Sequence, residues 1–328
     1  MNRPDLSVIT VCMNRQQHLL ETARRIAAWP HHQEHLILDW SSRVPVERAQ
    51  LPPDSRIRLE RVDGEQRWNL CRAYNLAARL ARGRLLMKLD ADCWPDQFDP
   101  GLVLAEDEKL CWFGSGPDGR LGQFLMPRTA FEAVGGFNEV LQGYGFDDKD
   151  LKARLMSLSF NVRALPQRAI GIKSHSIHER VSRNHLDAAT ASAYEESLSF
   201  ALRRSTAMSN RNAAALFPWT CQRDSSRYIQ QKQKQWCAIQ SSIPRLTAEL
   251  EAELLRLRRK IFWGSFLCIP EDVVRCLPLL LLGSERNGEF KILWWHRLYW
   301  RLVSRPLLLV VSVLDPGFWK GLRRWLKW

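Results

Sequence analysis

The sequence lacks the short motifs that identify several common classes of protein, namely zinc-binding, dinucleotide-binding and P-loop proteins. None of its eight cysteines forms a C-x-x-C pair or shows a zinc-ligand spacing, so we expect reduced thiols in a cytosolic setting. There is no Gly-x-Gly-x-x-Gly fingerprint and no Gly-x-x-x-x-Gly-Lys loop, which excludes the usual dinucleotide site and the P-loop. Any nucleotide must therefore be held by side chains.

Long apolar runs are also missing. Two strongly apolar runs, residues 277–282 and 306–314, are shorter than the roughly 20 residues that a membrane-spanning helix needs, so we expect the protein to lie on a membrane rather than cross it. At the N-terminus, polar Asn2, Arg3 and Asp5 precede a short strand instead of an extended apolar region. We therefore expect no signal peptide and a cytoplasmic location.

The positive charge is concentrated in the second part of the chain. Residues 1–200 carry 26 Lys and Arg against 26 Asp and Glu, whereas residues 201–328 carry 22 against 9, so the whole net charge of +13 lies there. That part also holds nine of the fourteen tryptophans. Basic and aromatic residues suit both an anionic membrane surface and nucleic acid. The apolar runs beside them favour the membrane, and no nucleic acid is expected.

This change in composition predicts two domains, residues 1–205 and 206–328. The second is predicted to be helical, basic and rich in tryptophan, with an amphipathic helix over residues 244–260. We expect it to bind the cytoplasmic face of the inner (plasma) membrane or a partner subunit. Docking of residues 315–328 onto the protein's own first domain is the alternative.

Alternating strand and helix patterns predict an α/β fold for the first domain. Apolar runs indicate strands at residues 6–12, 36–39, 57–62 and 85–89, and helical spacing indicates helices at residues 16–29 and 68–81. This order is typical of a mostly parallel central sheet. Residues 106–128, with four glycines and two prolines, are interpreted as a loop able to move over a substrate.

Two aspartates end the last of these strands. Asp90 and Asp92 are two residues apart and can therefore face the same side of the chain. Ligands of open α/β sheets bind beyond the carboxyl ends of the strands, where residues 10–15 and Asp39 also fall. Paired carboxylates suit Mg²⁺ or Mn²⁺ that completes its shell with substrate phosphates. A strand-ending turn with solvated acids is the alternative.

A second acidic cluster begins a helix predicted to run to about residue 158. Asp147, Asp148 and Asp150 suit the helix dipole, but three aspartates in four positions exceed what capping requires. Crowded carboxylates raise the pKa of at least one member, which makes a usable general base. Further on, His178, or alternatively His175, is a candidate metal ligand, although a loop histidine is usually a surface residue.

Residues 5–185 resemble a known family. In order, the landmarks are SVITVCMNR at 7–15, Asp39 with Ser41, WNLCRAYN at 68–75, LDAD at 89–92, GGFNE at 135–139, and GFDDKDL at 145–151 with Arg154. The first four resemble family 2 glycosyltransferases with the Rossmann-like GT-A fold of nucleotide-diphospho-sugar transferases. The last two are similar to the C-terminal half of β1,4-galactosyltransferase-like and chondroitin-polymerase-like enzymes.

The resemblance implies a role for each candidate residue. The nucleotide-sugar would be held by a set of polar residues, namely Thr10, Asn14, Arg15, Asp39, Arg72, Asn75 and Asp90. Mn²⁺ or Mg²⁺ would be bound by Asp92, His178 and Asp90, with His175 as the alternative to His178, and Asp92 would be the more direct of the two aspartate ligands. Asp148 would be the catalytic base, and Asp147 would hold the donor sugar or the acceptor hydroxyl.

The sequence thus predicts a metal-dependent inverting glycosyltransferase, either a hexosyl- or an N-acetylhexosaminyltransferase. It would move a sugar from a UDP-sugar to a glycan or lipid-linked acceptor in surface polysaccharide biosynthesis. Two alternatives stay open at this point. One is a nucleotidyltransferase, which also uses a nucleotide, a divalent metal and paired acids. The other is a noncatalytic glycan-binding or scaffold subunit that keeps the fold.

Overall fold

The computed structural model describes residues 5–100, 109–116, 120–173, 193–278, 280–286 and 289–314. The chain forms two compact units. One comprises residues 1–174 and 210–246, and the other comprises residues 175–209 and 247–328. These units differ from the predicted division at residue 205, which falls inside the helix Ala193–Leu216. The chain leaves the first unit and returns to it, an order that a single change in composition does not indicate.

The first unit contains eleven strands and four complete helices among the described residues. The strands are β1 (Leu6–Cys12), β2 (Glu34–Trp40), β3 (Ile57–Asp63), β4 (Leu85–Lys88), β5 (Cys93–Pro95), β6 (Leu110–Phe113), β7 (Phe124–Pro127), β8 (Asn161–Ala164), β9 (Ile170–Ile172), β10 (Tyr228–Lys232) and β11 (Gln235–Ala238). The helices are α1 (Gln16–Ala28), α2 (Leu70–Leu80), α3 (Arg128–Ala133) and α4 (Asp147–Ser157).

Nine strands form one sheet in the order β10-β11-β3-β2-β1-β4-β7-β6-β8. The pairs β11/β3, β3/β2, β2/β1, β1/β4 and β6/β8 are parallel, and the other three pairs are antiparallel. The predicted α/β fold with a mostly parallel central sheet is confirmed. Strands β5 and β9 form a separate antiparallel ribbon.

The sheet's central strands form the core of this unit. Every residue of β1 and β2 is buried, as expected for strands of a parallel sheet that are covered on both faces. Helix α2 begins at Leu70 because the side chain of Asn69 accepts a hydrogen bond from the backbone N–H of Arg72 at 2.9 Å. The packing of these strands and α2 fixes the carboxyl ends of β1, β2 and β4 on the same side of the sheet.

Two parts of the sheet differ from the predictions. Residues 106–128, interpreted as a loop, contain β6 and β7, and β7 is buried along its whole length. Residues 228–238, predicted to belong to a helical region, form the hairpin β10–β11, which pairs with β3. Strand β10 has exposed polar side chains along most of its length, so it lacks the apolar alternation that identifies a strand.

Among its described residues, the second unit is mostly helical and contains one short hairpin. Its helices are α5 (Ala193–Leu216, shared with the first unit), α6 (Ala248–Leu267), α7 (Glu271–Cys276), α8 (Trp294–Tyr299), a π-helical turn (Trp300–Ser304) and α9 (Arg305–Leu314). Strands β12 (Glu285–Arg286) and β13 (Glu289–Phe290) pair with each other. Helix α6 corresponds to the predicted amphipathic helix and extends to Leu267 because Phe262, Trp263 and Phe266 pack in this unit's own apolar core. Within the described residues, no helix combines the length and apolarity needed to cross a membrane.

Candidate active site

The predicted site residues of the N-terminal half lie at one edge of the sheet. Strands β1, β2 and β4 are parallel neighbours, with Cys12 opposite Asp39 and Ile9 opposite Lys88. Their carboxyl ends therefore open toward the same side, together with the segments that follow them. The loops after β1 and β2 touch directly, since the backbone N–H of Asn14 donates to the Ser42 hydroxyl at 2.9 Å.

Asp39 organises the loop after β2. Its buried carboxylate accepts hydrogen bonds from the backbone N–H groups of Ser42 and Val46 at 3.0 and 3.1 Å and forms an ion pair with Arg61. Asn14, in a left-handed conformation (φ 57°), accepts from the backbone N–H of Arg43 at 2.8 Å. Both residues therefore shape the loops that follow β1 and β2.

Thr10 and Arg15 lie at different depths in this region. The Thr10 hydroxyl is buried in β1, 3.1 Å from Nε2 of His35. Burial lowers the pKa of His35 to about 3, so its ring is neutral at physiological pH. Arg15 precedes α1 and is partly exposed. Of the two, Arg15 is therefore the one placed to meet a ligand.

The two predicted residues on α2 hold other parts of the protein. Arg72 is ion-paired with Glu65 and donates to the Tyr228 hydroxyl at 3.0 Å. Asn75 donates to the Phe137 carbonyl oxygen at 2.9 Å, and its own oxygen accepts the Phe137 backbone N–H at 2.8 Å. These bonds join α2 to the hairpin and to the Gly-Gly-Phe turn.

That turn fits closely against Asn75. A Cβ on Gly136, which has a φ of +68°, would stand 2.4 Å from the Asn75 side-chain oxygen. Only glycine satisfies both the backbone conformation and the space at this position. The GGFNE landmark and Asn75 of the WNLCRAYN landmark are therefore parts of one contact.

Asp90 is fixed by a network that sequence reasoning missed. One carboxylate oxygen, Oδ1, accepts from Lys88 Nζ at 2.7 Å and from the Tyr74 hydroxyl at 3.0 Å. The other, Oδ2, accepts from Gln123 Nε2 at 2.7 Å, and the Gln123 side-chain oxygen accepts the Asp90 backbone N–H at 2.9 Å. The Asp90 side chain is about one third exposed, so part of this firmly held carboxylate is accessible to a ligand.

Lys88 is the buried cation of this network. Its side chain is 1% exposed, donates to the Gly122 carbonyl oxygen at 2.9 Å, and lies 4.5 Å from the centre of the Tyr74 ring. A lysine inside an otherwise apolar strand was the available sequence signal, because lysine is almost never fully buried unless paired. Gln123 gave no such signal, since it precedes β7 in the segment that was interpreted as a loop.

Asp92 follows Asp90 at the start of the β5–β9 ribbon. Its side chain is 9% exposed, Oδ1 lies 3.5 Å from the Cys93 thiol, and its backbone carbonyl accepts the Lys173 N–H at 2.9 Å. The structure therefore places Asp92 where β5 meets the segment leaving β9. The predicted ligands His175 and His178 lie outside the described residues.

The second acidic cluster opens α4 as predicted. The chain enters the helix through three residues with positive φ, Gly143 (69°), Gly145 (95°) and Phe146 (78°). Asp150 forms an ion pair with Arg154 at 2.7 Å, and Arg154 also donates to the Gly136 carbonyl oxygen at 2.8 Å. Asp150 is thus part of the scaffold, and the partly buried Asp147 and Asp148 are the candidate chemical groups.

Electrostatics connect this cluster with the strand end. Burial raises the pKa of Asp147 to about 6, with further increases from Asp148 and Asp90, and Lys88 opposes the shift. The strand-end acid and the helix acids therefore act on one another across a single site. The pKa is raised in the expected direction, but burial of Asp147 is the larger cause and the crowding by Asp148 is the second.

We expect Asp147→Asn to stabilise the fold at neutral pH. Between the ordinary pKa of 3.8 and about 6, the unfolded chain has lost this proton while the folded chain keeps it. The free energy of unfolding therefore falls as pH rises through that range, and the penalty is complete above about pH 6. Asparagine removes it, with an expected gain of about 1–2 kcal/mol after allowance for solvent screening and the helix dipole.

Urea unfolding below pH 3.8 and above about pH 6 measures this effect. The variant is expected to exceed the wild type only at the higher pH. Asp96→Asn, at an exposed aspartate, is the control. An equal stability difference at both pH values would contradict the assigned pKa.

A divalent cation suits the donor chemistry of this site. Asp90 and Asp92 at the strand end supply carboxylate oxygens, which are the ligands that Mg²⁺ and Mn²⁺ prefer. Within the described ranges, no group of three or more His, Cys, Asp and Glu side chains is arranged to hold a metal ion. A cation here would therefore draw further ligands from elsewhere, as such ions do from substrate phosphates.

Two family models match adjoining parts of the chain. Glycosyl transferase family 2 matches residues 7–109, and the model described as the N-terminal domain of galactosyltransferase matches residues 119–179. Together they cover half of the chain and include both acidic clusters. The protein is a glycosyltransferase. More narrowly, it is similar to the family 2 glycosyltransferases over residues 7–109 and to the galactosyltransferases over residues 119–179.

Several solved structures have a similar chain course at low sequence identity. A mannosyltransferase of Pyrobaculum calidifontis, in complex with GDP-Man and Mn²⁺, is 16% identical over 96% of this chain and 88% of its own, with a TM-score of 0.48. Glucosyl-3-phosphoglycerate synthase of Mycobacterium tuberculosis is 12% identical, with coverages of 70% and 85% and a TM-score of 0.46. Drosophila β1,4-galactosyltransferase 7 is 13% identical, with coverages of 71% and 92% and a TM-score of 0.44. No curated protein matches the chain.

Proposed function

We propose that this glycosyltransferase is metal-dependent and inverting, and that it moves a sugar from a UDP-sugar to a hydroxyl of a glycan or lipid-linked acceptor. The observation that carries the proposal is the position of two acidic groups, one at the end of β4 (Asp90, held by Lys88 and Gln123) and one in the first turn of α4 (Asp147 and Asp148). One acidic group serves the diphosphate side of the sugar, and the other serves the side from which the acceptor attacks.

The base has to be a carboxylate placed opposite the leaving group. In this proposal Asp148 accepts the proton of the acceptor hydroxyl as that oxygen bonds to the anomeric carbon, and the bond to the diphosphate breaks on the far side. Attack from the opposite face inverts the anomeric centre. Asp147, with its pKa near 6, exchanges a proton close to neutral pH and holds a sugar or acceptor hydroxyl by hydrogen bonding.

The diphosphate side is assigned to the strand end. Asp92 is the proposed metal ligand, and the tightly held Asp90 is proposed to face the ribose or the sugar. His178, or His175, stays the proposed additional ligand. A bound divalent cation would stabilise the negative charge that develops on the departing diphosphate oxygen. Asn14 and Arg15 are proposed to meet the nucleoside.

The setting proposed for the reaction is surface polysaccharide assembly at the cytoplasmic face of the inner membrane. All eight cysteines are free thiols, and burial raises the pKa of Cys12 to about 12 and those of Cys71 and Cys93 well above their usual value. Such thiols are protonated and unreactive at neutral pH. The protein would therefore keep its thiols in a reducing compartment.

A panel of UDP- and GDP-sugars, assayed for nucleoside diphosphate release with Mn²⁺, Mg²⁺ or EDTA, tests the proposal. We expect release that needs the metal and favours one UDP-sugar, with an increase when the acceptor is supplied. Selective release from a GDP-sugar would overturn the donor assignment. Release that is unaffected by EDTA would overturn the metal dependence, and tight donor binding without release or transfer to any acceptor would favour the noncatalytic alternative.

A further inference from the structure

The last helical stretch of the second unit presents an apolar surface to solvent. Trp294, Leu298 and Leu302 recur at every fourth residue and are 76%, 48% and 67% exposed. Residues four apart lie on the same side of a helix. Helix α9 follows with further exposed large apolar residues, and because five of them are consecutive they lie on several sides of the helix: Leu307, Leu308, Leu309, Val310, Val311 and Val313. We name this set, from Trp294 to Val313, the exposed helix face.

The helix is held to its own unit by a narrow stripe. Among the described side chains of residues 294–313, only His296, Trp300 and Ser304 are buried. His296 lies 2.8 Å from the Leu281 carbonyl oxygen, and the Ser304 hydroxyl donates to the Leu267 carbonyl oxygen at 2.8 Å. The stripe ends at Ser304. Soluble proteins rarely expose a contiguous apolar patch of this extent, which points to an interaction surface.

Arginines border the exposed helix face. Arg297, Arg301 and Arg305 also recur at every fourth residue, and all three are exposed. A surface cavity of about 520 Å³ is lined by two of them together with Ile292, Trp294 and Leu298. Guanidinium groups beside an indole ring and aliphatic side chains match a lipid, whose anionic headgroup adjoins apolar chains.

We propose that the exposed helix face binds an anionic phospholipid membrane, with the apolar residues in the interface and the three arginines at the phosphate level. A second copy of the chain fits less well, because a self-complementary interface would bring the two rows of arginine together. Nucleic acid would leave the leucines and valines without a partner. This surface is proposed from its own residues and does not depend on the transfer reaction.

Vesicle flotation of the full chain tests the surface, with neutral phosphatidylcholine vesicles compared with vesicles that also contain phosphatidylglycerol. We expect binding to the anionic vesicles that weakens as salt is added. Arg297→Gln, Arg301→Gln and Arg305→Gln together should lower the partition coefficient on the order of a hundredfold, since each cation near an anionic surface contributes roughly fivefold. Trp294→Ser, Leu298→Ser and Leu302→Ser together should weaken binding to both kinds of vesicle.

Matched controls keep the composition change constant. Arg211→Gln, Arg245→Gln and Arg256→Gln remove the same charge from exposed arginines elsewhere, and Met156→Ser with Leu158→Ser removes exposed apolar side chains of the first unit. Circular dichroism checks that each variant folds. Failure of the wild type to bind anionic vesicles would overturn the proposal, as would equal losses in the controls. If the Trp294, Leu298 and Leu302 variant abolished self-association in sedimentation velocity while keeping vesicle binding, a second copy would be the occupant instead.

Discussion

Asp148→Asn is expected to lower the rate of sugar transfer by about a hundredfold to ten-thousandfold while leaving donor binding nearly unchanged. Asparagine has almost the same shape as aspartate but cannot accept a proton. The substitution therefore removes general-base catalysis, whose rate enhancement is typically about a hundredfold to ten-thousandfold. The neighbouring Asp150–Arg154 ion pair, at 2.7 Å, keeps the first turn of α4 in place in the variant. Donor affinity by calorimetry and transfer rate, measured on one preparation, separate the two effects.

Asp92→Ala is the informative comparison for that experiment. If Asp92 holds the metal, its removal weakens donor binding and transfer together, because the metal contacts the diphosphate. Asp148→Asn should affect transfer alone. Equal loss of donor binding in both variants would contradict the division of the site into a diphosphate side and an acceptor side. Full transfer activity in Asp148→Asn would exclude this residue as the base.

The parallel part of the fold was predictable because its strands are locally distinctive. The residues of β1 and β2 are buried on both faces, so apolar residues make up most of β1 and the centre of β2. The predicted strand at residues 6–12 matches β1 residue for residue. The predicted start of α2 differed by two residues because Asn69 caps it. The local sequence is enough to predict these strands and this helix, without knowledge of the distant residues that they contact.

The antiparallel and edge strands were not predictable in the same way. Strand β7 is short and follows a glycine-rich segment, and it is stabilised as a strand by its antiparallel pairing with β4. Strand β11 is stabilised by its parallel pairing with β3, more than 170 residues earlier in the chain. Contacts of this kind are set by the tertiary structure, which explains why residues 210–246 were predicted to lie outside the first unit.

For the candidate site, the sequence likewise predicted where the acidic residues lie but not which residues they contact. The sequence placed Asp39, Asp90, Asp92, Asp147 and Asp148 at strand and helix ends, and the structure has them there. It gave no account of which acids are already engaged, such as Asp39 with Arg61. That information depends on residues such as Gln123, whose contact with Asp90 joins positions 33 residues apart.

Lys88→Met is the substitution that tests the missed network. Methionine matches the length and apolar character of the lysine stem, but it leaves Asp90 without its ammonium partner and the Gly122 carbonyl without a donor. Breaking a buried ion pair from one side costs about 3–5 kcal/mol. Because Asp90 is about one third exposed, we expect a loss of about 2–3 kcal/mol in unfolding free energy. Urea denaturation measures it.

The same substitution should also change the pH dependence of transfer, which a merely structural lysine would not do. Lys88 lowers the pKa of Asp147, so its removal should raise that pKa above about 6 and move the acidic limb of the rate profile to higher pH. Lys260→Met, which breaks an ion pair in the second unit, serves as control. A double-mutant cycle with Asp90→Asn should show coupling of about 0.5–3 kcal/mol. Additive effects and an unmoved profile would mean that Lys88 fills space in β4 and does not set the charge of the site.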